Sequence, residues 1–307
     1  MTCKFSKHGS GADEEDQVFG GDALNLASMV SAGSGLVNED GFGSISHDGE
    51  VSAAWVFDGV TGINGRNYLP GGSDARWLVA RAEEHLRKLA GSSAALPDIL
   101  AVLVEQLVAG WSAVSAGLDL PAAYDPPAAC LILAKRYGVE WKAVRLGDSC
   151  LLARYDGGDH RIFAASPNNA FDHWLSREAR KRRYAGVLDI KALLAEFRPQ
   201  LIAGRQKRNR PDGYSILEAS PAALNMAEYI NLGDPACLLL CTDGYYRAVD
   251  HYHLHDNASL IEASLAKDGV VQVLHDIRTV EAGDPSCETY LRFKPADDAT
   301  AVMLRRD

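Results

Sequence analysis

The sequence predicts an α+β fold of antiparallel sheets with helices packed outside them. Three observations carry this. Four strand-like stretches between residues 129 and 164 are joined by gaps of a few residues, and gaps that short connect only antiparallel neighbours. Two amphipathic helices precede this meander and further helical stretches follow it. Alternating β-α-β units with long crossovers are missing from the pattern, which disfavours a doubly wound parallel sheet.

Taken in order, residues 1–20, rich in glycine and acids, read as a loose N-terminal segment, and 21–307 as one domain. Ala23–Ser31 and Val51–Phe57 are short apolar runs bounded by Gly or Asp, as strands are. Asp74–Leu89 repeats Leu78, Ala82, Leu86 and Leu89 at helical spacing. Asp98–Val114 does the same with Ile99, Leu103, Leu107, Trp111 and Val114, and Pro97 stands where a first-turn proline is tolerated. The meander strands are Ala129–Arg136, Val139–Leu146, Cys150–Tyr155 and Arg161–Ala164. Helical, basic stretches follow near 171–184 and 189–207. A strand near Tyr214–Leu217, a stronger one at Ala236–Thr242, helices over 257–281 and a strand at Ala299–Arg305 complete the chain.

The 307 residues, 47% hydrophobic, suffice for a sizeable core. A formal net charge of −10 excludes broad nucleic-acid binding, which needs a basic face, and suits a carboxylate-rich site for hard cations. None of the six cysteines forms a C-x-x-C pair, so zinc and thioredoxin spacings are missing; Cys237 and Cys241 fall on one face of a strand and read as buried thiols. Met1–Asp16 has no apolar signal core and no later segment approaches 18 apolar residues, so a cytoplasmic protein without membrane contact, and a monomer, is expected.

Four aspartates sit at strand ends. Asp58, Asp148 and Asp243 follow Ala53–Phe57, Ala143–Gly147 and Leu238–Thr242; Asp297 precedes Thr300–Leu304. In antiparallel neighbours those ends meet on one edge, and Asp40 stands in the preceding loop to join them. Carboxylates gathered there repel one another unless cations or protons neutralise them, and hard oxygen ligands suit Mg²⁺ or Mn²⁺. Each Asp-Gly alone is a common turn dipeptide; the combination in order carries the weight.

Asn38-Glu39-Asp40, Phe57-Asp58-Gly59, Leu146-Gly147-Asp148-Ser149, Leu240-Cys241-Thr242-Asp243-Gly244 and Asp297-Asp298-Ala299-Thr300-Ala301-Val302 resemble the ordered signature of the metal-dependent protein phosphatases of type 2C, over about residues 20–306. The resemblance implies a four-layer α-β-β-α sandwich and a serine/threonine phosphatase acting on phosphorylated proteins by direct hydrolysis with metal-activated water. It implies two divalent cations, Mg²⁺ or Mn²⁺. Asp58 would bridge them, the Gly59 carbonyl would bind one, Asp243 and Asp297 would complete the first shell, and Glu39 and Asp40 would serve the second. Asp148 matches a ligand of a third metal. A variable basic flap would span about 165–212.

Three positions depart from the family pattern. Gly35 stands where the family carries a phosphate-clamping Arg. Asp58-Gly59-Val60-Thr61-Gly62-Ile63-Asn64 lacks the family's histidine. Arg247 replaces an acid expected near the third metal, so two metals are counted and Arg247 becomes a candidate phosphate contact. The clusters Arg177–Arg183 and Arg205–Arg210 are alternative sources of a clamp. His251, His253 and His255 read as a polar face, not a metal site. The rival function is a catalytically silent regulatory or binding module that keeps the fold.

Overall fold

A computed structural model describes residues 17–20, 26–164, 170–184, 186 and 190–306. Residues 1–16, the start of the predicted first strand at 23–25, and flap residues 165–169, 185 and 187–189 lie outside them. The strands are β1 (Gln17–Gly20), β2 (Leu26–Ser31), β3 (Gly41–His47), β4 (Glu50–Gly59), β5 (Ala128–Tyr137), β6 (Glu140–Leu146), β7 (Cys150–Arg154), β8 (His160–Phe163), β9 (Leu217–Glu218), β10 (Glu228–Gly233), β11 (Cys237–Cys241) and β12 (Ala299–Arg305). The helices are α1 (Asp74–Leu89), α2 (Leu96–Ser115), α3 (Ala170–Tyr184), α4 (Ile190–Arg205), α5 (Asp243–Asp250), α6 (Asn257–Leu265) and α7 (Gly269–Gly283).

Two antiparallel sheets form, ordered β1-β2-β12-β11-β7-β8 and β10-β6-β5-β4-β3, with β9 beside β5. The period of two along each strand sorts side chains into layers. Trp55, Phe57, Leu131 and Leu133 meet Leu78, Leu86, Leu103 and Leu107 of α1 and α2. Their neighbours Ala54, Val56 and Ile132 face Leu151, Leu238, Leu240 and Val302 between the sheets. Leu239, Cys241 and Ala301 turn the other way, onto Tyr245, Ile261, Val273 and Ile277 of α5, α6 and α7. The result is the expected four layers, helices–sheet–sheet–helices. Cys237 and Cys241 share the helix-facing side, as their spacing predicts.

Local chemistry sets the ends. The Ser73 hydroxyl caps α1 by accepting from the Arg76 N–H, and Pro97 sits in the first turn of α2. By length and composition α2 is apolar enough to cross a membrane, a feature the sequence reading denied; here its Ile99, Leu103 and Leu107 stripe packs on the β4–β5 sheet. The helices predicted over 257–281 are α6 and α7, parted just before Gly269 at Asp268, whose φ of 58° is left-handed. Near Tyr214–Leu217 only Leu217 joins a strand, while Tyr214 makes an isolated bridge with Arg208. Gln17–Gly20, read as loose, pairs with β2. Strands β3 and β10 went unpredicted: β3 carries two glycines, and β10 is mostly exposed, with Ile230 and Leu232 its buried side chains.

Candidate metal centre

The register brings the acidic motifs to one end of both sheets. In the β4–β5 sheet, Gly41 pairs with Phe57 and Asp58 with Cys130, placing Asp40 and Asp58 at the same edge. In the other sheet Cys241 pairs with both Cys150 and Ala301, so Asp148, Asp243 and Asp297 leave their strands side by side. Two glycines make this geometry fit. Gly147 has φ +90°, and a Cβ there would lie 2.4 Å from the Cys130 sulfur. A Cβ on Gly59 would lie 2.4 Å from the Glu39 carbonyl oxygen.

A polar scaffold fixes the loop before β3. Asp298 accepts from the Gly33 N–H (2.7 Å) and the Glu39 N–H (2.8 Å). The Thr61 hydroxyl donates to Glu39 Oε2 (2.6 Å). The Thr242 hydroxyl donates to Asp40 Oδ2 and accepts the Thr300 N–H, both at 2.9 Å, tying the two sheets together through the motif residues. Asp298, Thr61 and Thr242 were not singled out from sequence, although Asp298 and Thr242 lie inside the motifs and offered that signal.

The charges are unbalanced. Asp58 feels burial and then Asp243, Asp40, Asp148 and Asp297, all pushing its pKa well up. Asp40 is raised by burial and by Asp298. Asp243 is raised by burial, with Arg247 opposing. Burial works against the charge of Asp297 too, yet Arg247 and Lys294 outweigh it and its pKa is lowered. Arg247 Nη2 lies 2.6 Å from Asp297 Oδ2 and 3.6 Å from Asp243 Oδ2, and Lys294 Nζ lies 2.7 Å from Asp297 Oδ1. Arg247 therefore does not point to solvent. Lys294 went unnoticed in the sequence because nothing local pairs it with a motif three residues on.

The ligand atoms of Asp58, Cys130 and Asp148 lie within 4.8 Å of one another, the one such acid, His or Cys group among the described residues. The Cys130 thiol donates to Asp148 Oδ1 (3.0 Å), and burial with Asp148 and Asp58 raises its pKa, so it stays protonated. Asp40, Asp58 and Asp148 have no cationic partner among the described residues. Oxygen donors, buried and mutually repelling, are the donor set of hard divalent cations, so these residues fit such ions.

The flap arginines do other work. Arg208, 5% exposed in its side chain, pairs with Asp125 at 2.9 Å and donates to the Pro126 carbonyl. Arg205 joins the same carboxylate at 3.2 Å and donates to the Thr61 carbonyl. Arg183 donates to the Ser286 and Cys287 carbonyls, and Arg182 pairs with Glu196. These contacts dock α3, α4 and the segment after them onto the body. The expectation that Arg208 supplies a clamp is corrected: its charge is consumed by Asp125. His251 packs against Tyr252 and Tyr290, in line with the non-metal reading.

The profile of the Protein phosphatase 2C family matches residues 31–277, and the chain belongs to that family. Solved structures of the same fold include the Mycobacterium tuberculosis serine/threonine phosphatase PstP/Ppp, with 15% identity, 92% of this chain and 98% of that one covered, and a TM-score of 0.54. PppA of Pseudomonas aeruginosa shares 18% identity over 91% of this chain and 96% of its own, with a TM-score of 0.53. Stp1 of Staphylococcus aureus shares 12% over 99% and 100%, also at 0.53. No curated protein matches the chain.

Proposed function

We propose that this chain is a phosphoserine/phosphothreonine protein phosphatase that depends on two divalent cations, Mg²⁺ or Mn²⁺. The observation that carries it is the cluster Asp40, Asp58, Asp148, Asp243 and Asp297 at one sheet edge, faced by two cations only among the described residues. A catalytic domain of PstP, of the same fold, has been crystallised with two manganese ions.

Asp58 stands where both sheets' contributions meet and would help hold both ions. Asp243 and Asp297 would complete one site. Glu39 and Asp40, with the Gly59 carbonyl, would serve the other. Asp148 accepts from the Cys130 thiol beside Asp58, and Arg247 stands where the resemblance expects a further acid, which makes a third site weak. When bound, such cations lower the pKa of water and offset charge on a phosphoryl group. The chain supplies the positioning: Thr242 orients Asp40, Thr61 and Asp298 hold Glu39, and the protonated Cys130 is no nucleophile.

The test is hydrolysis of p-nitrophenyl phosphate and a phosphoserine peptide with and without Mn²⁺. Wild type turns over with metal, and Asp58→Asn and Asp243→Asn each lose on the order of 10³-fold in kcat. Turnover that needs no metal, or survives both substitutions, sinks the reading. One observation favours the silent module: Gly35 stands where the resemblance expects a phosphate-clamping Arg. Tight Mn²⁺ binding without turnover would select that alternative.

A further inference from the structure

Beside the metal centre, α5, residues 291–294 and α3 enclose a recess of about 270 Å³. Asp243 and Asp297 form the wall it shares with the metal centre, Leu175 and Phe293 supply apolar surface, and Arg247 and Lys294 also line it. We propose that Arg247 and Lys294 act together as the phosphate clamp of this enzyme, holding the phosphoryl group of a phosphoserine or phosphothreonine side chain at the mouth of this recess. The inference rests on the phosphatase reading and names the residues that grip its substrate.

Three observations lead there. First, the donors are in surplus. Asp297 engages one nitrogen of Arg247 and the Lys294 ammonium, while Arg247 Nη1 is buried with no hydrogen-bond partner among the described residues. A guanidinium offers five N–H donors and a lysine three, so both side chains have hydrogens to spend. Once Asp243 and Asp297 turn to a cation, their claim on Arg247 and Lys294 weakens further.

Second, the recess gathers cations on an acidic protein: Arg247, Arg292 and Lys294 stand on its wall with the acids Asp243, Asp250 and Asp297. His251, also on the recess wall, feels Arg247, Arg292, Arg180 and His253, and its Nε2 is likewise buried without a partner among the described residues. Arg292 is consumed: it donates to the Asp284 carboxylate and to the carbonyls of Glu281, Asp284, Tyr290 and Pro295. That leaves Arg247 and Lys294 as the recess cations able to change partners. Arg180, exposed on α3, adds long-range attraction for an anion.

Third, the chemistry and size match. A planar guanidinium fork beside a compact ammonium suits a tetrahedral dianion. The volume falls just below the ~300 Å³ at which drug-sized ligand pockets begin, so it admits a phosphoryl group and a short side chain, not a folded partner.

The experiment compares wild type with Arg247→Ala, Arg247→Lys and Lys294→Gln. It reads KM for a phosphoserine peptide, the inhibition constant of inorganic phosphate, phosphate binding by calorimetry on Mn²⁺-loaded protein, and Mn²⁺ affinity. Arg247→Ala and Lys294→Gln each raise KM and weaken phosphate about tenfold, the scale of a lost charged hydrogen bond. Arg247→Lys recovers part of that loss. Mn²⁺ affinity is unchanged or tighter, because Asp297 loses a competing counter-charge; a purely structural role for Arg247 would weaken it. Phosphate binding and KM within twofold of wild type in both Arg247→Ala and Lys294→Gln overturn the clamp. A wild type that turns over no phosphopeptide overturns the phosphatase reading instead, and the calorimetric phosphate series still decides the clamp by the same criterion.

Discussion

The two ends of the β-sandwich carry similar numbers of charged side chains and treat them oppositely. At the end away from the motifs, Glu50 pairs with Arg136, and Asp156 and Asp234 both pair with Arg306. Acids there have arginine partners near solvent, and the pairs solubilise the edge. At the motif end Asp40 is buried, Asp58 half-buried and Asp148 exposed, none of the three forms an ion pair among the described residues, and burial with neighbouring acids pushes the pKa values of Asp40 and Asp58 up. The difference teaches that unpaired charge marks the working end. Burying like charges together costs folding free energy, and a site keeps that cost where an ion is to be bound.

The largest test of this contrast is Asp298→Ala. The Asp298 carboxylate is not a proposed metal ligand but fixes the backbone of Gly33 and Glu39. Its loss weakens Mn²⁺ binding by about 10–100-fold, as loss of a residue that orients ligands does, read by calorimetry. Unchanged affinity would mean that the loop before β3 needs no such anchor.

Next comes Asp58→Asn without metal. The folded pKa of Asp58 is raised above its unfolded value, so the folded state holds the proton more tightly. Stability from this group is therefore lost as pH rises from the usual 3.8 through the raised value, and the loss is complete above it. In EDTA, Asp58→Asn raises Tm by about 2–4 °C at pH 7, corresponding to about 1 kcal/mol, and by less at pH 5. Mn²⁺ reverses the order, stabilising wild type alone. A variant less stable than wild type in EDTA at pH 7 would break the comparison.

The smallest effect belongs to the other end. Arg306→Ala removes pairs to Asp156 and Asp234 that are largely exposed, and leaves the urea-unfolding midpoint nearly where it was, with no change in Mn²⁺ affinity. A clear drop in that midpoint would show that the far end is not the passive one.

Much of this was legible before any fold was known. Helix α1 was bounded residue for residue because its stripe Leu78, Ala82, Leu86 and Leu89 has the helical period, and the structure adds the Ser73 cap that fixes its start. Helix α5 was missed because it begins inside a motif read as a strand end followed by a turn, Asp243-Gly244. The acids were found because their order along the chain is distinctive. Cys130 and Thr61 were not, since each enters the centre through a partner in another segment, Asp148 and Glu39; Lys294 was not, since only the folded turn directs its ammonium back onto Asp297.

By itself the sequence determined the layers and the ligand candidates: strand and helix periods are local, and hard cations need carboxylates whatever their surroundings. Only the tertiary structure decided which cations face them. Arg208 and Arg247 sit in equally basic or mixed stretches of sequence. One is spent on Asp125 and the other is turned onto Asp297, because a long charged side chain takes whichever partner the folded backbone brings within reach.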